Sequence, residues 1–207
     1  MVTPEPPHPF RPEIEVLSFG TELYRVLSNR RKGNEFNPGH GRGSRFAFFG
    51  TPGKVPVLYA AATEDAAVSE RLLHDVPFSG GRLLSSDYAD KVAVKLALRR
   101  ELRLASFLGT GLRTLGIEAK NLTDTGAWRY PDTVQWAAAA HRAGLDGAVW
   151  MSRRCNSERA YVLFGDRVTA DDLEIQPDYV RVFGAGTDLD WLIDFCARFR
   201  VDVLPPL

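Results

Sequence analysis

An arginine in an otherwise apolar stretch is the first residue of this chain that could do chemistry. In "LYRVL", residues 23 to 27, strand geometry points Leu23, Arg25 and Leu27 to one face and Tyr24 and Val26 to the other. An ionised side chain taken out of water costs several kcal/mol unless something compensates it. Arg25 therefore either pairs with a core carboxylate or offers its planar fork of donors to a phosphate or carboxylate ligand. Glu70 is the second candidate. On a helix it shares a face with Ala66, Ala67 and Leu73, while Arg71 and Asp75 turn to solvent. A carboxylate on a small-residue face either pairs with Arg25 or lies where a substrate can approach closely, and the two are compatible.

Three further residues have chemical types and positions of interest. Tyr59 closes the apolar run "VPVLY" just before the Glu70 helix, at the carboxyl end of a strand, where ligands often bind. It is otherwise a core aromatic. Arg45, in "GRGSRFAFFG", stands between a glycine-rich loop and an aromatic run and is either a solvated loop residue or a second anion-binding group. Ser152 ends "DGAVWM" and by itself reads as a hairpin residue. The glycine clusters carry no nucleotide signature: "GHGRGS" neither follows a strand nor opens a helix, and "GTPGKV" lacks the phosphate-loop spacing. His8, His40, His74 and His141 are scattered without ligand spacing, so no metal is assigned, and no Gly-x-Ser-x-Gly supports a serine triad.

The elements that must position these residues can be read in outline. Residues 28 to 44 form a long polar loop, 55 to 62 a buried strand, and 63 to 75 a helix with Thr63 as N-cap and Glu64 and Asp65 in its first turn. A strand is expected over 91 to 99, a loop with little structure over 109 to 126, and a helix from 131 to 144, opened by proline and closed by glycine. "DGAVWMS" and "RAYVLFG" make a hairpin across "RRCNSE". A strand "DYVRVF" and a helix from Leu189 to Phe199, capped by Thr187, complete the chain. No repeating βαβ rhythm appears, so the expectation is an α+β fold: a single domain, a mixed sheet with flanking helices. Residues 1–15 read as an irregular Pro-rich arm, 16–170 as the main domain, and 171–207 as a strand and helix packed on it.

Composition excludes several classes. The chain is 44% hydrophobic, enough for a sizeable core, and its 26 Lys+Arg balance 26 Asp+Glu. That balance supplies no global field for nucleic acid or an anionic membrane, so direct binding to either is not expected and any anion site is local. Two cysteines, Cys155 and Cys196, lack Cys-x-x-Cys spacing and suit a reducing cytoplasm as free packing thiols. No signal peptide or apolar run of membrane-spanning length is seen.

In order along the chain, "LYRV", "GSRF", "VLYAA", "AAVSE" and "LDGAVWMS", with "YVLF" just after, resemble the RES-domain family, named for its Arg, Glu and Ser. The match runs from about residue 20 to 168. Ser44 and Phe46 stand where the family has Gly and Trp. The resemblance implies a fold similar to ADP-ribosyltransferase toxins and an activity that breaks down NAD+, by phosphorolysis or hydrolysis, in toxin–antitoxin pairs. NAD+ would be substrate, inorganic phosphate a co-substrate if phosphorolysis applies, and no resident cofactor is implied. It also implies an antitoxin with an Xre-like helix-turn-helix domain, and leaves a homodimer open. Carried residue by residue, it makes Arg25, Glu70 and Ser152 catalytic, with Ser157 a competitor for the serine, and Tyr24, Arg45, Tyr59 and Thr133 substrate-binding. Transfer of ADP-ribose to a protein, or non-catalytic nucleotide binding with Arg25 and Glu70 merely paired, are the alternatives.

Overall fold

The structure, a computed structural model, describes residues 3–205. Strands β1 (Ile14–Leu17), β2 (Glu22–Ser28) and β3 (Val57–Ala61) lead into helix α1 (Glu64–Leu72). Next come β4 (Gly81–Leu83), the one-turn α2 (Ser85–Tyr88), β5 (Lys91–Leu98), β6 (Leu102–Phe107), α3 (Gly109–Thr114) and α4 (Tyr130–Arg142). The chain continues through β7 (Gly147–Met151), β8 (Arg159–Phe164), β9 (Leu173–Val182), α5 (Thr187–Ala197) and β10 (Val201–Val203). Eight strands make one sheet in the order β1-β6-β7-β8-β3-β2-β5-β9, parallel only between β6 and β7, while β10 and β4 form a small parallel pair.

The alternation of side chains explains the layers. One sheet face carries Leu23, Leu27, Leu58, Val94, Leu96, Leu104 and Leu163, a cluster built from strands and loops without a helix. A sheet that buries such a face without a covering helix must curl so that its own strands and loops close over it. The other face is covered by two groups of helices. Trp136, Ala137 and Ala140 of α4 and Leu112 of α3 pack on β6, β7 and β8. Ala66, Ala67, Val68 and Leu72 of α1, with Leu192 and Phe195 of α5, pack over Val26 of β2, Ala61 of β3 and Ala93 of β5. The two groups adjoin along β8 and β3, neighbours in the sheet, while β2 and β3 touch at a single register pair, Tyr24 with Ala61. The fold is thus α+β, a single domain with a mixed, curled sheet and flanking helices.

α1 begins as its sequence dictates: the Thr63 hydroxyl accepts from the Ala66 N–H, and Glu64 and Asp65 occupy the first turn. Thr63→Ala is expected to cost about 1 kcal/mol of stability by chemical denaturation. Strand β6 was not expected, because "LRLASF" is buried on both faces after Arg103 and shows little alternation. The segment 109–126, expected as a loop, contains α3 and a 3-10 turn at Ala119–Asn121. Its glycines are poor helix formers, but Gly111 sits where a Cβ would lie 2.4 Å from the Ser106 carbonyl, so close packing overrides propensity. Cross-strand pairing starts at Ile14, and the irregular stretch before it is packed: Thr3 Oγ1 donates to the Asn121 carbonyl, and Trp136 Nε1 donates to that of Pro4. β9 and α5 belong to the same sheet and core. The closing helix starts at Thr187, two residues earlier than expected, with Gly186 as its N-cap. Both cysteines are free, and burial pushes the Cys196 thiol up to about 11. No helix among the described residues is long and apolar enough to cross a membrane.

Candidate active site

Glu70 occupies the last full turn of α1, where the two helical groups meet, and is partly exposed. Its Oε1 accepts from Ser152 Oγ at 2.6 Å and from the Arg154 N–H at 3.4 Å. Ser152 follows β7 and is fully buried; its Oγ in turn accepts from the Cys155 N–H at 2.9 Å, which orients its own proton toward Glu70. Ser157, the competing serine, is exposed and contacts the Cys155 sulfur instead. With its protein donors directed to Oε1, the carboxylate has Oε2 available for a ligand.

Arg45 reaches this region from the loop before β3. Three of its N–H groups go to the Leu122 carbonyl, the Thr125 hydroxyl and the Thr125 carbonyl, and its guanidinium lies 5.4 Å from the Tyr130 ring centre. Two side chains fix the backbone around it. The Tyr59 hydroxyl accepts from the Phe46 N–H at 3.1 Å and bonds Ser44 Oγ at 2.9 Å, while Thr133 Oγ1 donates to the Arg45 carbonyl at 2.5 Å. Phe46 is fully buried between Phe107 and Trp150. Tyr59 and Thr133 were expected to contact a ligand; in the structure their hydroxyls bond the backbone and side chains around Arg45. Burial pushes the Tyr59 phenol up to about 12. Tyr59→Phe leaves the Phe46 N–H without its partner and is expected to cost about 1–2 kcal/mol of stability by urea unfolding.

Two more arginines belong here and were missed. Arg153 binds Asp124 Oδ1 at 2.7 Å and the Thr125 carbonyl at 3.3 Å; Arg154 donates to the carbonyls of Val76 and His74. Both guanidinium groups lie over the exposed Phe78 ring. Burial lowers the pKa of Arg45 and of Arg154, and the neighbouring Arg153 charge lowers Arg154 further, so the cluster gains from an added anion. Tyr130, at the start of α4, and His74, just past α1, complete it through a 2.7 Å contact between Tyr130 Oη and His74 Nε2. The signals were present: adjacent arginines directly follow Ser152, and His74 lies four residues after Glu70. Read as a polar hairpin loop and a scattered histidine, they gave no hint of meeting.

Arg25 stands apart. It shares the inner face of the curl with Leu23 and Leu27, whereas α1 packs on the face of Val26. Its NH1 donates to the carbonyls of Gly33 at 2.6 Å and Glu35 at 2.8 Å. The structure therefore does not pair Arg25 with Glu70: the groups that meet its guanidinium are carbonyls of the loop that plugs the curl. Burial pulls its pKa down to about 10, still cationic at neutral pH. Tyr24 is on the face of α1 but lines an adjoining groove of about 550 Å³ with Glu22, Glu64, Glu158 and Tyr179. That groove's acidic rim repels phosphates, so the arginine cluster beside Glu70 is the better anion site. Among the described residues no group of three or more potential metal ligands is brought together.

The curled mixed sheet of this α+β domain thus brings a serine-held carboxylate among three arginines, a cluster that an added anion would stabilise. A family model described as "RES domain" matches residues 22–185, a range that includes the whole cluster, and the chain belongs to this family. Among solved structures, a chain of the MbcT–MbcA toxin–antitoxin complex of M. tuberculosis is similar in fold, with a TM-score of 0.54 and 15% identity, covering 80% of this chain and 85% of that one. No curated protein matched the chain in a sequence search.

Proposed function

We propose that this chain is the toxin of a toxin–antitoxin pair and cleaves the bond between nicotinamide and ribose in NAD+, by phosphorolysis or hydrolysis. The observation that carries the reading is the Ser152–Glu70 contact set among Arg45, Arg153 and Arg154. As the C1′–N bond breaks, its electron pair leaves with nicotinamide and the ribose becomes oxocarbenium-like. A carboxylate beside the ribose, held by Ser152 so that one oxygen remains available, offsets the developing charge and orients the sugar hydroxyls. The arginines keep N–H groups beyond their protein bonds and hold the pyrophosphate, or an attacking inorganic phosphate, through charged hydrogen bonds. The new bond at C1′ then forms to a phosphate or a water oxygen. NAD+ is the substrate, no resident cofactor enters the mechanism, and the enzyme works in the cytoplasm.

Membership of the RES family and the fold shared with a chain of a toxin–antitoxin complex support an inhibitory partner. Its proposed form is an antitoxin with an Xre-like helix-turn-helix domain. The test is purified protein, stripped of any co-purified partner, incubated with NAD+ with and without phosphate. Nicotinamide released only with phosphate establishes phosphorolysis, and release in phosphate-free buffer establishes hydrolysis. Label appearing on an acceptor protein would replace cleavage by ADP-ribosyl transfer. No release under any condition would overturn the enzymatic reading.

A further inference from the structure

We propose that Tyr130 contacts the ligand in this site and that the protonation state of His74 decides whether the Tyr130 hydroxyl accepts or donates a hydrogen bond there. This deepens the preceding reading and rests on it for the identity of the ligand. Tyr130 Oη lies 2.7 Å from His74 Nε2, and His74 Nδ1 lies 2.8 Å from Asp75 Oδ1. An ionised carboxylate only accepts, so Nδ1 carries the hydrogen and, in the neutral ring, Nε2 is the acceptor. Tyr130 must then donate its proton to His74. Its oxygen lone pairs are left to accept from a ribose hydroxyl or water.

Protonation of the imidazole reverses the arrangement. Both ring nitrogens then donate, Oη accepts from Nε2, and the phenolic proton is released to point at an anionic oxygen of the ligand. Imidazole is the side chain that ordinarily makes this change between about pH 5 and 8. The groups facing His74 are few. Asp75 comes from its own loop, Tyr130 from α4, and Arg154 from the β7–β8 turn, which donates to the His74 carbonyl. The charges of Glu70, Arg45 and Arg153 surround Tyr130 itself. The Asp75 side chain is 97% exposed, so its pair with His74 adds little to stability. What the pair does instead is fix the tautomer, and through it the direction of the Tyr130 hydroxyl. A phosphate oxygen, of NAD+ or of inorganic phosphate, is the ligand group that gains from the donating state.

The decisive experiment is KM for NAD+ between about pH 5.5 and 8.5 in wild type, Tyr130→Phe and His74→Gln, with thermal melts to confirm folding. In wild type, KM should rise about tenfold as the imidazole loses its proton, the effect of one charged hydrogen bond, with a smaller change in kcat. Glutamine keeps a polar partner for Tyr130 but does not titrate, and phenylalanine has no hydroxyl to turn. Both variants should therefore lose the dependence, and Tyr130→Phe should hold KM at or above the high-pH level throughout. Persistence of the wild-type limb in His74→Gln, or wild-type KM values in Tyr130→Phe, would overturn the proposal. If wild type cleaves no NAD+, only the preceding reading falls, and the coupling is judged without substrate. The His74 ring titration, followed by NMR, should then shift its midpoint in Tyr130→Phe, and an unmoved midpoint overturns it.

Discussion

Glu70→Gln is expected to lower kcat for nicotinamide release by roughly 10²–10⁴-fold while leaving the melting temperature close to wild type. The substitution is nearly isosteric. The amide oxygen can still accept from Ser152 Oγ and the Arg154 N–H, the two donors that fix Oε1, so the local architecture survives. What disappears is the negative charge, together with the acceptor at the oxygen that faces the ligand. In the proposed mechanism substrate binding rests mainly on the arginines, so KM should change much less than kcat, the pattern of an interaction made chiefly in the transition state. Activity within threefold of wild type would remove Glu70 from the chemistry.

Arg25→Ala should do the opposite, with stability lost and turnover kept. Arg25 is 8% exposed, and its guanidinium bonds two carbonyls of the loop that follows β2. Truncation leaves both carbonyls without a donor and opens a void against Val94, a combined cost of about 3 kcal/mol. For a chain of this size that corresponds to a fall in Tm of roughly 6–12 °C. Well below that transition, the folded protein should release nicotinamide at close to the wild-type kcat. A variant that melts like wild type yet has lost turnover would return Arg25 to the active site.

These two residues show what a one-dimensional reading can and cannot resolve. Strand alternation correctly marked Arg25 as a charge that needs compensation, since parity alone decides which face a side chain takes. It could not say that the compensation would come from carbonyls eight and ten residues later, because an irregular loop has no periodicity to read. Glu70 was legible for the same reason that α1 was: Thr63, the acidic first turn and the alanine face all agree. Tyr59 and Thr133 were noticed, but their hydroxyls turn inward to the backbone around Arg45, a choice that only packing decides. Arg153, Arg154, Tyr130 and His74 escaped because they come from segments far apart in sequence that approach one another only after the helices dock on the sheet.

The pairing of β3 with β8 has a consequence for synthesis. Ser152 and Glu70 are 82 residues apart, and the register that brings their segments together runs from Val57 with Phe164 to Ala61 with Ala160. Such non-local pairings close late, after the entropy of a long chain segment has been overcome. A nascent chain that has not yet exposed β8 to the growing sheet therefore holds its carboxylate without its serine. On the function proposed above, the order of strand assembly delays competence until β8 has been made, an interval in which a co-expressed inhibitor can be ready.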